Sequence, residues 1–459
     1  MGVTAKMIIS PQLRKSEKDG EIEGSFQIKS YDDLLQFPDI PVSTIDTPSG
    51  KRAITKPLVD AIIVPTIRTA EQLRSAVQLA ADARCHLILV YTDSLPDGLT
   101  DVLARLRPDQ VTLLTVRTGA RDRLLDLGTC LPQSRVSAAA LDIGRKRNLG
   151  LLIGRVCGWT RMLFLDDDVR RLSVAKLSAA AALLDSYPVV GLQVKKYPDA
   201  SVVGHARRLT GRRQEPFVSG GSLLANPQLL NGYFAPIYHE DWLCIINHLR
   251  AGEVAIGGSV GQLPYLPFTT SERARFEEFG EVLLSGLLWL VHARTRKSAA
   301  NETHPMAESD YWYWRDATDP RFWQEILVQR AALLADVTVR LKGKNFDGPS
   351  PLPSLAGASQ RLGELTPADF VSFTERWLAS LAEWRGQLSV LSHVDLVDKA
   401  QAIEKALAEL GVAHAVRTHD AWSRPRPVRG FRWMTGFAGR WGRRARADDR
   451  RTFGLPSWP

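Results

Sequence analysis

Between Ala61 and Val194 the chain alternates short apolar runs with segments of helical spacing, a rhythm that few folds accommodate. AIIVP (61–65) reads as a buried strand, 70–83 as a helix with apolar residues three and four apart, and HLILVY (86–91) as a second strand. A strand near 111–116, a helix over about 137–157, a strand over 161–165, another helix and a strand near 189–194 continue the series. Such alternation predicts an α/β fold: a doubly wound, mostly parallel sheet with helices on both faces, whose ligands bind beyond the carboxyl ends of the strands.

From about residue 272 the pattern changes to long helical segments, over 272–294, 321–341, 367–391 and 393–410. Four regions are therefore expected: a polar extension over 1–57, the α/β domain over 58–270, a mainly helical region over 271–423, and a tail over 424–459. Tyr311, Trp312, Tyr313, Trp314 and Trp323 form an aromatic cluster that reads as a packing interface or a sugar-stacking wall.

Of the formal charge of +9, the tail carries ten Arg against two Asp, so the rest of the chain is close to neutral. A nucleic-acid binder spreads basic side chains over its folded face, so no nucleic-acid partner is expected. The tail interleaves Arg with Phe431, Trp433, Phe437, Trp441, Phe453 and Trp458, which suits an anionic membrane surface; a disordered terminus is the alternative. The apolar stretch VLLSGLLWLV (282–291) is far short of the about 20 residues that cross a bilayer. The first residues show no signal-peptide core, and Lys6 departs from a myristoylation pattern. A cytoplasmic location, or a peripheral one at the inner membrane surface, is the expectation. Cys85, Cys130, Cys157 and Cys244 lie apart with no CxxC pair, which predicts reduced thiols.

RMLFLDDDV (161–169) delivers Asp166, Asp167 and Asp168 to the exit of an apolar strand. In an extended chain Asp166 and Asp168 point to one side and converge on a divalent cation, Mn²⁺ or Mg²⁺, while Asp167 points away. A solvated acidic turn or a helix cap is the plainer reading. Arg147-Asn148 lies upstream, where a cation and an amide can meet a diphosphate or a ribose. Glu240-Asp241 opens a later helical segment, as acidic residues do to complement a helix dipole. Gly220-Gly221 permits close backbone approach to a ligand or forms a tight turn.

GRKRNLGLLIGRVCGWTRMLFLDDDV resembles the approach to the metal-binding DXD motif of glycosyltransferase family 2, where an Arg-Asn pair opens the preceding helix. AIIVPTIRTAEQL resembles the opening of that family, and FVSGGSLLANPQLLNGYFAPIYHEDWLCIINHL its acceptor-binding half. The resemblance spans about residues 61–267 and implies a GT-A-like domain. It further implies sugar transfer from a nucleotide-diphosphate donor, UDP- or GDP-linked, to a hydroxyl acceptor; the membrane helices and Gln-x-x-Arg-Trp motif of the family's processive synthases do not appear in the sequence, so transfer of a single sugar is expected. Asp166 and Asp168 would hold the metal. Pro65, Thr66, Asp93, Arg147, Asn148, Asp167, Gly220 and Gly221 would line the donor. Asp241 would be the general base of an inverting reaction and Glu240 would position the acceptor. Asp93 in TDSLPDG departs from the family's usual Asp-Gly-Ser, and as a residue by itself it also reads as a turn cap. Retention is the alternative stereochemistry. His239, His292 and His304 are candidates for a late metal ligand, none of them singled out. A sugar-phosphate nucleotidyltransferase ranks lower, because PTIRTAEQL lacks a Gly-rich loop, and a non-catalytic interaction module is a third reading.

Overall fold

Period-two alternation divides the apolar residues of the central strands between two faces of one sheet. The computed structural model describes residues 42–44, 58–126, 138–195, 201–212, 218–301 and 310–420. The rest of the polar 1–57 segment, Cys130, His304 and the tail 424–459 lie outside the described residues. The strands are β1 (Val42–Thr44), β2 (Ala61–Pro65), β3 (His86–Thr92), β4 (Val111–Val116), β5 (Met162–Leu165), β6 (Val169–Arg170), β7 (Val189–Val194), β8 (Ser219–Ala225), β9 (Val254–Gln262) and β10 (Val416–His419). Their order is β1-β9-β7-β8-β5-β2-β3-β4-β10, with β6 paired to β9 off this path. The neighbours β5, β2, β3 and β4 run parallel, as do β7, β9 and β1. Between these two blocks β8 is antiparallel to both β5 and β7, and β10 is antiparallel to β4 at the edge. The protein is thus an α/β protein with a mixed sheet and a mostly parallel core.

Ile62, Val64, Leu87, Leu89 and Leu163 face one core, shared with Leu73, Val77 and Ala80 around helix α1 (Arg74–Ala83). Short α2 (Leu99–Leu103) and α4 (Val174–Ala182) also supply this core, whereas the other face receives α3 (Ala138–Val156). Ile63, Ile88, Val90 and Phe164 pack there with Leu149, Leu152 and Ile153 of α3. Helix α3 lies hard against the sheet and its flank, because Gly154 has no side chain where a Cβ would come within 2.9 Å of Pro227.

The same second core continues into the later helices without interruption. These are α5 (Val202–Arg208), α6 (Glu240–Arg250), α7 (Ser271–Asn301), α8 (Asp310–Trp314), α9 (Pro320–Leu341), α10 (Leu352–Glu364), α11 (Pro367–Val390) and α12 (Lys399–Glu409). Strand β1, which joins the sheet from the segment expected to be a polar extension, strands β6, β8, β9 and β10, and helices α2, α5, α8 and α10 are additions to the sequence-based element list. Tyr313, Trp314 and Trp323 are buried with Phe322, Phe370 and Trp377, so these three aromatics pack the interior. Tyr311 and Trp312 stay exposed. Cys85 and Cys244 are buried free thiols, and Cys157 is a half-buried one. Among the described residues no helix is long and apolar enough to cross a membrane.

A buried ion pair joins α9 to α7. Arg330 donates from Nε and Nη2 to the two oxygens of Glu278 at 2.7 and 2.8 Å, and both side chains are almost fully buried. Removing one partner strands the other charge in the core. Arg330→Ala is expected to cost about 3–5 kcal/mol. Replacing both residues with apolar ones of similar volume is expected to cost less than Arg330→Ala, leaving mainly the lost Arg330 contact to Glu281 at 3.1 Å, as read from urea unfolding midpoints.

Candidate active site

Chain order sets where the site lies. Strands β2, β3 and β4 are laid down outward in one direction, and the next strand, β5, returns to the opposite side of β2 in parallel register, Ile63 beside Phe164. The crevice beyond the carboxyl ends of two strands at such a reversal is where open α/β sheets take their ligands. Pro65 closes β2 and is followed by Thr66; Asp166, Asp167 and Asp168 follow β5.

The acidic triplet is a turn, not an extension of the strand. The Val169 N–H donates to the Asp166 carbonyl at 3.2 Å, and the chain continues into β6, which pairs with β9. Extended-chain alternation therefore does not govern these side chains, which corrects the expected basis for pairing Asp166 with Asp168. Each carboxylate meets different partners. Asp166 accepts from Arg147 Nη2 at 2.7 Å. Asp167 accepts from Thr66 Oγ1 at 2.7 Å and pairs with Arg68 at 3.2 Å. Asp168 accepts from Gln262 Nε2 at 3.1 Å. Burial raises the carboxyl pKa of Asp167, opposed by the Thr66 hydroxyl and Arg68; burial and the neighbouring Asp166 raise that of Asp168.

Arg147, 2% exposed, joins this turn to the start of α6. Its Nη1 donates to Glu240 at 2.5 Å while Nη2 holds Asp166. Burial alone would favour the neutral guanidine, but Asp166, Glu240 and Asp241 around it outweigh burial and hold the charge firmly. Three carboxylates thus share one cation. Glu240 carries the consequence: burial first, with Asp241 and Asp166 adding to it against the pull of Arg147, pushes its pKa up to about 7.

The two glycines of β8 make room for this convergence. A Cβ on Gly220 would stand 2.2 Å from an Asp241 carboxylate oxygen, and one on Gly221 would stand 2.9 Å from an Asp166 oxygen. The Asp166 N–H also donates to the Gly221 carbonyl at 2.8 Å, so backbone and side chain approach together.

In α3, four successive buried polar residues point in four directions, since each helical step turns about 100°. Arg145 pairs with Asp126 at 3.0 Å. Lys146 donates to the Thr66 carbonyl at 2.9 Å and to Asp142 at 2.6 Å; burial lowers its pKa, with Asp142 opposing. Arg147 enters the site. Asn148 does not, because its amide clasps the Phe234 backbone in both directions, at 3.0 and 2.8 Å. The Arg-Asn pair also sits well inside the helix, which begins at Ala138, and does not open it.

Asp93 is likewise occupied. With a left-handed φ of 57° it accepts from the Thr118 N–H and hydroxyl at 2.7 and 2.6 Å, a turn-capping role. The structure therefore gathers Pro65, Thr66, Arg147, Asp166, Asp167, Asp168, Gly220, Gly221, Glu240 and Asp241, and leaves Asn148 and Asp93 in structural roles. Sequence reasoning missed Arg68, Lys146 and Gln262. Lys146 had a signal, a charge inside an otherwise buried helix; Gln262 had none, because only the β6–β9 pairing brings it to Asp168.

Among the described residues no three His, Cys, Asp or Glu side chains form a metal-holding group. His239 is turned to Glu281 at 2.8 Å. One buried oxygen of Asp168, Oδ1, nevertheless has no hydrogen-bond partner among the described residues. That suits a hard cation such as Mg²⁺, which takes one or two carboxylates and completes its shell with water and phosphate oxygens. Neither a protein-family model nor a curated protein matches the chain.

The Glu240 shift has a definite pH signature. In the unfolded chain this carboxyl ionises near 4.5, and in the fold near 7, so the fold holds the extra proton between those values. Its contribution to stability therefore falls as pH rises from about 4.5 to about 7. Glu240→Gln is expected to remove that component: its stability relative to wild type should improve across this window, as measured by chemical unfolding at stepped pH. A difference independent of pH would show that Glu240 ionises normally.

Proposed function

We propose that the protein is a metal-dependent glycosyltransferase with a GT-A-like domain, moving one sugar from a UDP- or GDP-linked donor to a hydroxyl acceptor with inversion. The observation that carries this reading is the Arg147 junction. It sets the acidic turn after β5 beside Glu240 and Asp241 at the switch point of the sheet, so the carboxylates this reading assigns to donor and acceptor meet at one buried guanidinium.

Asp241 is the base in this reading. Its carboxylate takes the proton from the acceptor hydroxyl as that oxygen bonds to the anomeric carbon. The bond from that carbon to the nucleotide breaks on the opposite side, and its electron pair leaves with the diphosphate. Glu240 orients the acceptor, and Arg147 fixes Glu240 and Asp166 relative to each other. Thr66 and Asp167 tie the β2 exit to the acidic turn, and Arg68, 47% exposed, brings a positive charge to the rim. The divalent cation, once bound at Asp166 and Asp168, would neutralise charge on the departing diphosphate.

Asp241→Asn is expected to lower turnover by about 10²–10⁴-fold, the range for loss of a general base, while donor binding stays intact. Unchanged turnover would take Asp241 out of that role. The donor site itself is tested by calorimetric titration of UDP and GDP, with and without manganese. Wild type is expected to bind one of them in a metal-dependent way, and the Asp166→Ala, Asp168→Ala double variant neither. If wild type binds neither nucleotide, the donor reading fails and a non-catalytic module takes its place.

A further inference from the structure

Strand β9 ends against the acidic turn, and main-chain bonds fix how it does so. Gln262 stands opposite Val169 of β6, and the Leu263 N–H donates to the Asp168 carbonyl at 2.9 Å. Gln262 Nε2 then donates to Asp168 Oδ2 at 3.1 Å. An ionised carboxylate only accepts hydrogen bonds, so the amide nitrogen must be the atom that faces it, and the amide oxygen is left to find another partner. Among the described residues it has none: Gln262 Oε1 and Asp168 Oδ1 are both buried acceptors without a hydrogen-bond partner there.

Two stranded acceptors on one hydrogen-bonded side-chain pair are costly unless a hydrogen-bond donor or a cation meets them. Two of the nearby guanidinium groups are already engaged. Arg147 is held by Asp166 and Glu240, and Arg68 by Asp167. Asp168 is also the one carboxylate of the triplet with no ion-pair partner among the described residues.

We propose that Gln262 Oε1 and Asp168 Oδ1 form the principal protein share of the cation site, Gln262 serving as a neutral oxygen ligand. This rests on the metal-dependent reading above and moves its centre from the Asp166–Asp168 pair to the Asp168–Gln262 pair, with Asp166 contributing at most the oxygen that Arg147 leaves open. One charged and one neutral oxygen hold a divalent ion weakly, so capture should strengthen when nucleotide phosphates complete the shell.

The test is a Mn²⁺ titration followed by electron paramagnetic resonance, which reports bound metal without turnover. It is run on the full chain with no nucleotide, with UDP and with GDP, in wild type, Gln262→Ala, Gln262→Glu and Asp168→Asn, each checked for cooperative thermal unfolding. Gln262→Ala is expected to weaken Mn²⁺ capture about 10-fold or more. Gln262→Glu decides between ligation and mere positioning. A carboxylate cannot donate to Asp168, so a positioning residue would lose affinity on this change, whereas a ligand gains charge and should bind Mn²⁺ more tightly than wild type even without nucleotide. Capture by Gln262→Ala within about twofold of wild type while Asp168→Asn loses it, or loss in Gln262→Glu, would overturn the assignment, as would a wild type that captures no Mn²⁺ under any condition. Capture that depends on Gln262 in the stated way but ignores both nucleotides would uphold the assignment and remove the donor reading.

Discussion

Everything distinctive about the candidate site depends on a single buried cation surrounded by an excess of carboxylate. Arg147 has almost no contact with solvent, and it binds Asp166 from the end of a strand and Glu240 from the start of a helix. A guanidinium suits this position because its planar fork serves two carboxylates from different nitrogens and does not lose its charge. With Asp241 close by, the local balance is still negative, and the fold must hold it with neighbouring interactions. It does so with main-chain bonds to the acidic turn, with the glycines of β8, and with the N-terminal dipole of α6 beneath Glu240 and Asp241.

A second buried network fixes α6 from behind. His239, the residue just before Glu240, has a left-handed backbone and meets Glu281 of α7 at 2.8 Å; Glu281 in turn pairs with Arg330 of α9 at 3.1 Å. Burial lowers the His239 pKa, but Glu281 more than reverses this and raises it, while His239 and Arg330 together take Glu281 down to about 2 against the cost of burial. The helical region is therefore part of the machinery that orients the crevice. It shares one apolar core with a face of the sheet and reaches the site through charged side chains.

The sequence and the structure agree most closely where one local property decides the outcome. Strands β2, β3 and β4 are apolar runs bounded by polar turns, and any such run buried on both faces reads as a strand. Strand β8 lacks that local signature, because SGGSLLA carries Gly220 and Gly221 near its start, which weaken a strand in isolation and clear space for Asp241 and Asp166. Strand β10 was hidden for another reason: VRTH gains its place only by pairing with β4, about 300 residues earlier in the chain. The acidic triplet was conspicuous as a composition, but its turn geometry arises from the pairing of β6 with β9.

By itself, the sequence determined the α/β alternation, the late helices and the identity of the charged groups that had to be paired once buried, because periodicity and desolvation act residue by residue. Only the tertiary structure decided the use of each group. Arg147 and Asn148 are neighbours on one helix, yet one step of rotation sends the first to Asp166 and the second to the backbone of Phe234. Asp93 caps a turn because β4 delivers Thr118 to it, and Gln262 joins Asp168 because β9 ends there. These outcomes depend on which distant strands become neighbours, and that information resides in packing across the whole sheet, not in any one segment.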